Sequence, residues 1–278
     1  MYQEISQLLM YGDLEEDSIL AQMGELFGKY ETGEYNKTGL VRDINTQVKR
    51  ILKVATDYGF DDNLWHNYLT FFLMMSENPF SMTCEKVGAS DGSVNALVEN
   101  DFRIFKALFD YDFGPIEKDL GIHCFSQISN YKAIHKKDLM YNKNVSEKVR
   151  SLSKKLEAAK DEKEFFDAVT GFYKDYGVGM FGLNKAFRID DTPQGSFTFR
   201  AINNMDTVML DDLVGYEIQK KKLVDNTEAF VQGKKANNVL LFGDSGTGKS
   251  TSIKAIVNQY YKDGLRMIEN LTSISLSI

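Results

Sequence analysis

Gly243-Asp244-Ser245-Gly246-Thr247-Gly248-Lys249-Ser250, followed by Thr251, is the stretch on which the reading of this chain turns. It fits G-x-x-x-x-G-K-[ST], the pattern of a phosphate-binding loop. Its glycines let the backbone turn tightly and bring N–H groups against an anion. Lys249 adds a mobile positive charge for β- and γ-phosphates. The Ser250 hydroxyl suits Mg²⁺, an ion that keeps several waters and takes only one or two protein oxygens. The residues that follow predict a helix whose N-terminal dipole also favours phosphate.

The flanks of the loop support this reading. Asn238-Val239-Leu240-Leu241-Phe242 is a short apolar run and predicts a buried parallel strand. Beyond the loop, Ile253, Ile256, Val257, Tyr260 and Tyr261 recur at helical spacing, and Gly264 closes the segment as a C-cap. Strand, glycine loop and helix is the order that phosphate-binding chemistry requires.

With 278 residues the chain is long enough for two domains. A net charge of −7 argues against wholesale nucleic-acid binding. The 2 cysteines, Cys84 and Cys124, form neither a disulfide framework nor a paired metal-ligand spacing, which fits a cytoplasmic setting. Met1-Tyr2-Gln3-Glu4 lacks the basic start and apolar core of a signal peptide, and no apolar run is long enough for a bilayer. With 19 Phe and 14 Tyr, an aromatic-rich core is expected.

From Met1 to about Lys174 the pattern is helical. Val41, Ile44, Val48, Ile51, Leu52 and Ala55 share one face of a helix entered near Thr38 and left near Gly59. Asp61 or Asp62 is placed to cap the next helix, which runs through Leu64, Trp65, Tyr68 and Leu69 to Met75. That helix is apolar nearly all round and belongs at the centre of the domain. Pro79 is suited to a first helical turn. Val94, Leu97, Val98, Phe102, Phe105, Leu108 and Phe109 form another stripe, broken between Asp110 and Pro115. Ser146 and Asp161 are placed to cap two further helices. Gly177-Val178-Gly179-Met180-Phe181-Gly182 reads as a hinge. Lys185 to Ile189 and Ser196 to Ile202 pair as a hairpin around Asp191-Thr192-Pro193-Gln194-Gly195, and a new unit begins at Asp211.

Asp212-Leu213-Val214-Gly215-Tyr216-Glu217, a helix, and then Val239 to Gly243 with the glycine loop resemble the opening of an AAA+ ATPase module. More narrowly, the chain resembles a bacterial family of predicted AAA+ ATP-binding proteins of unknown function, which pair a long helical N-terminal region with a C-terminal ATPase. The resemblance is specific from Leu210 to Glu269. It implies ATP and Mg²⁺ as cofactors. Val214 and Gly215 match the segment whose backbone lines the adenine pocket. Gly243, Asp244, Ser245, Gly246, Thr247, Gly248, Lys249, Ser250 and Thr251 match the phosphate loop, with Ser250 on the metal. Leu265-Arg266-Met267-Ile268-Glu269 matches the second strand of the nucleotide fold.

An AAA+ enzyme also uses an acidic Walker B strand, a polar sensor, an arginine finger from a neighbour and a helical lid. Only Asn270 to Ile278 follows Glu269, and it holds no Asp, Glu or Arg. The resemblance therefore implies a truncated ATPase, with no catalytic residue to name and with ring assembly disfavoured. The strands at Val239 and Leu265 are then expected to lack partners. The expected organisation is a mainly α N-terminal domain over 1–176, a Gly-rich hinge and β-hairpin linker over 177–210, the incomplete start of an α/β P-loop NTPase (AAA+) domain over 211–269, and an aberrant tail over 270–278.

His66, His123, His135, Cys84 and Cys124 match no zinc spacing, so structural roles are expected. The basic stretch from Lys132 to Lys163 carries interspersed acids and reads as a solvated helical face more than a nucleic-acid footprint. The reading is an ATP-binding fragment of an AAA+-type ATPase that does not hydrolyse ATP by itself. Its helical domain would recognise a protein partner, and no membrane is involved. The alternatives are a fragment of another P-loop NTPase or nucleotide kinase, and a helical interaction module with a vestigial nucleotide site.

Overall fold

Asparagine, serine and aspartate side chains set where the N-terminal helices begin. The computed structural model describes residues 1–89, 92–134, 141–191, 197–203, 205–270 and 273–277, and the chain divides into two units, Met1–Gly179 and Met180–Ile278. The first unit contains α1 (Tyr2–Ile5), α2 (Ile19–Thr32), α3 (Lys37–Tyr58), α4 (Leu64–Met75), α5 (Pro79–Val87), α6 (Ser93–Phe109), α7 (Gly114–Leu120), α8 (Cys124–Ile128), α9 (Lys143–Ala158) and α10 (Glu162–Tyr176). Ser18, Asn36, Asn63, Asn78, Asn142 and Asp161 each accept a backbone N–H of the first turn that follows, which satisfies a donor the helix itself leaves open.

Two cap assignments need correction. Asn63, not Asp61 or Asp62, caps α4. Asp62 has a φ of 65° and exchanges backbone hydrogen bonds with Tyr131, so its backbone is not extended as a cap residue requires. Ser146 lies inside α9, which Asn142 caps, and its hydroxyl donates to the Gly59 carbonyl. Leu97, placed in the apolar stripe of α6, is 50% exposed.

The centre of the first unit is α4, buried at Leu64, Trp65, Leu69, Leu73 and Met74. Trp65 Nε1 donates to the Leu108 carbonyl at 2.9 Å, and His66 Nε2 donates to the Phe109 carbonyl at 2.8 Å. These are last-turn carbonyls of α6, which have no partner within their own helix. One helix thus satisfies the end of another, and the aromatic pattern of α4 is in part a hydrogen-bonding pattern. Asp101 on α6 is fully buried, and its carboxylate accepts the backbone N–H groups of Leu9, Met10 and Tyr11. Tyr11 in turn shares a buried 2.9 Å hydrogen bond with Tyr173, whose hydroxyl donates to the Leu73 carbonyl.

The second unit holds α11 (which begins at Gly179 and runs to Leu183), β1 (Ala186–Asp191), β2 (Phe197–Ala201), α12 (Glu217–Val231), α13 (Lys249–Tyr260), β3 (Arg266–Asn270) and β4 (Ser273–Ser277). The sheet order is β2-β1-β3-β4. β1 pairs antiparallel with β2 and parallel with β3, with Arg188 opposite Glu269, while β4 pairs antiparallel with β3. The hairpin expected as a linker is thus part of this sheet, although its turn at 192–196 lies outside the described residues. The strand at Leu265, expected to lack partners, has one on each side. The expectation for the tail falls partly on residues 271, 272 and 278, also outside the described residues.

The run from Val239 to Phe242, expected as a buried strand, is no strand. Val239, Leu240 and Phe242 are exposed, Leu240 at 83% and Phe242 at 87%. Both edges of β3 are already occupied. The core of this unit lies instead between α13 and one end of the sheet, where Ala255, Ile256 and Val257 are buried together with Ala186, Leu265, Met267, Leu210 and Leu223.

His66 generates a prediction. Burial holds its imidazole below the usual histidine range, against the opposing pull of the Phe109 carbonyl and Glu157. The folded chain therefore resists a proton that the unfolded chain accepts. Stability from this group is level above the ordinary histidine value of 6.5 and falls as pH drops below it. Urea midpoints compared at pH 7.5 and pH 5.5 should show a smaller acid loss in His66→Gln than in the parent chain.

Candidate phosphate-binding loop

Asn226 on α12 makes a two-way contact with the chain that enters the loop. Its Nδ2 donates to the Asn237 carbonyl at 2.9 Å, and its Oδ1 accepts Asn237 N–H at 2.8 Å. From this clamp the backbone runs through the exposed apolar residues to Gly243. Gly243, Gly246 and Gly248 have φ values of 141°, 82° and 81°, where a side chain would be strained. Gly248 is the N-cap of α13, so Lys249 is the first residue of the helix.

The loop is held from within. Lys249 Nζ donates to the carbonyls of Gly243 at 2.9 Å and Asp244 at 2.6 Å. Thr247 Oγ1 donates to the same Asp244 carbonyl at 2.9 Å. Ser252 Oγ donates to the Gly248 carbonyl at 2.9 Å, and Ser252 N–H donates to it as well. Ser250 is exposed, and its hydroxyl makes no hydrogen bond among the described residues.

Below the loop, α13 is fixed at several points. Lys254 Nζ meets Asp206 at 2.6 Å. Asn258 Nδ2 donates to the carbonyls of Asp206 and Val208, and Asn258 Oδ1 accepts from Lys185 Nζ at 3.0 Å. Burial and the neighbouring Arg266 guanidinium push the Lys185 ammonium below the usual lysine range. Tyr260 donates to Glu228 on α12 at 2.9 Å; burial first, then that hydrogen bond, pushes its phenol up to about 12.

Val214 and Gly215, assigned to the adenine segment, precede α12 in the same unit. Gly215 has a φ of 83° and Tyr216 of 58°, so two successive residues turn left-handed before the helix begins. Lys220 Nζ ties this turn by donating to the Leu213 carbonyl at 2.8 Å. Val214 is 94% exposed. Leu213 beside it packs on the α13 core, so the turn and the loop share one apolar support. The side chains of Asn226, Lys254 and Asn258 that organise the site follow no motif, and the last two meet Asp206, Val208 and Lys185 from distant parts of the chain.

Glu269, at the end of β3, pairs with Arg188, whose Nε donates to it at 3.0 Å. Among the described residues no three His, Cys, Asp or Glu side chains gather in a metal-holding group, and no helix is long and apolar enough to cross a membrane. His135 and the basic residues Lys136 and Lys137 lie outside the described residues.

Residues 183–275 match a family described as "Protein of unknown function (DUF815)". The match takes in the hairpin, α12, the glycine loop, α13 and β3. A 58-residue stretch is 40% identical to the replication factor C large subunit of Methanococcus vannielii, covering 21% of this chain and 12% of that protein. The chain thus spans about an eighth of that relative. No solved structure matches it. Together the two matches suggest an AAA+ relationship.

The exposed run before the loop is open to test. Leu240→Ser with Phe242→Ser removes solvent-facing apolar area and no buried contact. The double variant should remain monomeric to higher concentration in light scattering, with a thermal midpoint equal to that of the parent chain.

Proposed function

We propose that residues Gly243 to Thr251 bind the phosphates of ATP with Mg²⁺. In this reading Lys249 meets the β- and γ-phosphates, Ser250 gives its hydroxyl to the metal, and the backbone at Val214 and Gly215 adjoins the base. One observation carries the reading: left-handed glycines lead directly into α13, with Lys249 at its first position and an uncommitted Ser250 hydroxyl beside it. Such a terminus presents unpaired N–H groups and a favourable dipole to an anion. The AAA+ relationship suggested by the similarity supports it.

The residues fit the nucleotide. Gly246 and Gly248 have open space on the side where a Cβ would stand, so phosphate oxygens can approach the backbone. Lys249 must leave the Gly243 and Asp244 carbonyls to reach them. Bound Mg²⁺ would neutralise phosphate charge; the chain's own part is to hold and orient the phosphates.

The same proposal has the chain bind ATP without turning it over. The acid closest in sequence on the neighbouring strand, Glu269, is paired with Arg188 rather than left available for a water molecule. The helical unit would serve as the recognition part, for a protein partner.

Titration with a fluorescent ATP analogue tests the proposal. Lys249→Ala should weaken binding at least tenfold, about 1.4 kcal/mol. Ser250→Ala should retain binding without Mg²⁺ and lose the gain that Mg²⁺ confers. Phosphate release should stay at background; turnover that disappears in Lys249→Ala would overturn the non-hydrolytic part while leaving the binding part intact.

A further inference from the structure

A cavity of about 200 Å³ lies in the first unit, away from the glycine loop in sequence, and every residue lining it is polar. One wall is a face of α9 carrying Arg150, Ser153, Lys154 and Glu157 at spacings of three and four. The facing wall comes from the turn before α4 and from Asn67 on α4.

The charged groups here meet only in loose, partly solvent-exposed ion pairs. Arg150 Nε is buried and has no hydrogen-bond partner. Its terminal nitrogen stands 4.0 Å from Asp62, and Lys154 Nζ stands 3.8 Å from the same carboxylate, beyond hydrogen-bonding distance. Ser153 is only 5% exposed and Asn67 only 3%. The Ser153 hydroxyl and the Asn67 carbonyl oxygen take part in no hydrogen bond among the described residues. Asn67 Nδ2 is engaged by the Asp61 carbonyl at 2.6 Å, which fixes the amide so that its oxygen is held in place. Buried polar groups ordinarily have partners, so the unpartnered Arg150 Nε, with two polar side chains beside it that make no such bond through these oxygens among the described residues, points to an occupant.

The lining also describes that occupant. Asp61, Asp62 and Glu157 disfavour a plain anion, while Arg150 and Lys154 disfavour a plain cation. The volume is below the roughly 300–1,000 Å³ usual for larger ligands, and corresponds to about six or seven waters at ~30 Å³ each. No apolar side chain is present to receive a hydrocarbon group. We propose that this cavity binds a small zwitterion of the free amino-acid type, its carboxylate on Arg150, Ser153 and Lys154 and its ammonium on Glu157, Asp62 and the Asn67 oxygen. Glycine and serine fit this chemistry; leucine does not.

The experiment uses the full chain, with isothermal titration and thermal unfolding against glycine, serine, leucine, acetate, ethylamine and inorganic phosphate. Serine or glycine should bind saturably and raise the unfolding temperature, and each other probe should bind at least tenfold more weakly. Arg150→Met, which keeps the side-chain bulk, should weaken serine at least tenfold. Lys154→Gln lies on an exposed side chain that the fold does not need, so it reports even if Arg150→Met unfolds; it should weaken serine at least threefold. Absence of saturable binding by glycine and serine would mean that water alone fills the cavity and would overturn the proposal. So would phosphate binding as tight as serine, or serine affinity unchanged in Lys154→Gln.

Discussion

A β-strand has two edges, and in the second unit both edges of β3 are taken, by β1 on one side and β4 on the other. Much of that unit follows from this. Backbone N–H and C=O groups must be paired or solvated, so a further apolar segment reaching this sheet finds no place beside β3. Val239 to Phe242 joins no strand of this sheet, and Val239, Leu240 and Phe242 are exposed despite a composition suited to a sheet interior. The Arg188–Glu269 pair is a consequence of the same register, since the parallel pairing sets these residues opposite one another.

With no strand beneath it, the glycine loop must be positioned from elsewhere. The Asn226–Asn237 clamp holds the chain before it, and the buried face of α13 holds the chain after it. Between those anchors the loop closes on itself through Lys249. The ammonium there compensates two carbonyls that would otherwise face water. Under the proposed reading, a phosphate would have to compete with these internal hydrogen bonds, with charge in its favour, since an ammonium prefers an anionic oxygen to a neutral carbonyl.

The helical fold was largely legible in the sequence because its determinants are local. Apolar spacing over Val41 to Ala55 gives α3, Gly59 ends it with a φ of 69°, and Asp161 caps α10 as its position implies. Misplaced caps arose where a long-range contact overrode a local preference: Asp62 is held left-handed by Tyr131, and Ser146 is drawn to the Gly59 carbonyl. Phosphate binding stays a proposal, but the glycine turn before α13 was legible because its glycine conformations are intrinsic. Strand identity was not, because pairing depends on which edges remain open, and that is decided by residues more than 50 positions away, such as the Ala186–Met267 pair. The side chains that anchor α13 were invisible for the same reason.

The two units handle polar groups differently, and the difference bears on how function should be read. In α4 and α6, aromatic N–H donors complete a helix end and Asp101 gathers three backbone donors, although His66 Nδ1 makes no hydrogen bond among the described residues. The hydrogen bonds made there gain strength from low dielectric surroundings. A matched network has nothing left to offer a ligand. Arg150 Nε beside the polar cavity is a buried donor without an acceptor, and the exposed Ser250 hydroxyl beside the glycine loop makes no hydrogen bond among the described residues. Burial alone does not decide whether a polar group is satisfied, since buried Asp101 accepts three hydrogen bonds and the buried His66 Nδ1 makes none among the described residues. Completeness of hydrogen bonding is a separate property, and no spacing rule along the sequence encodes it.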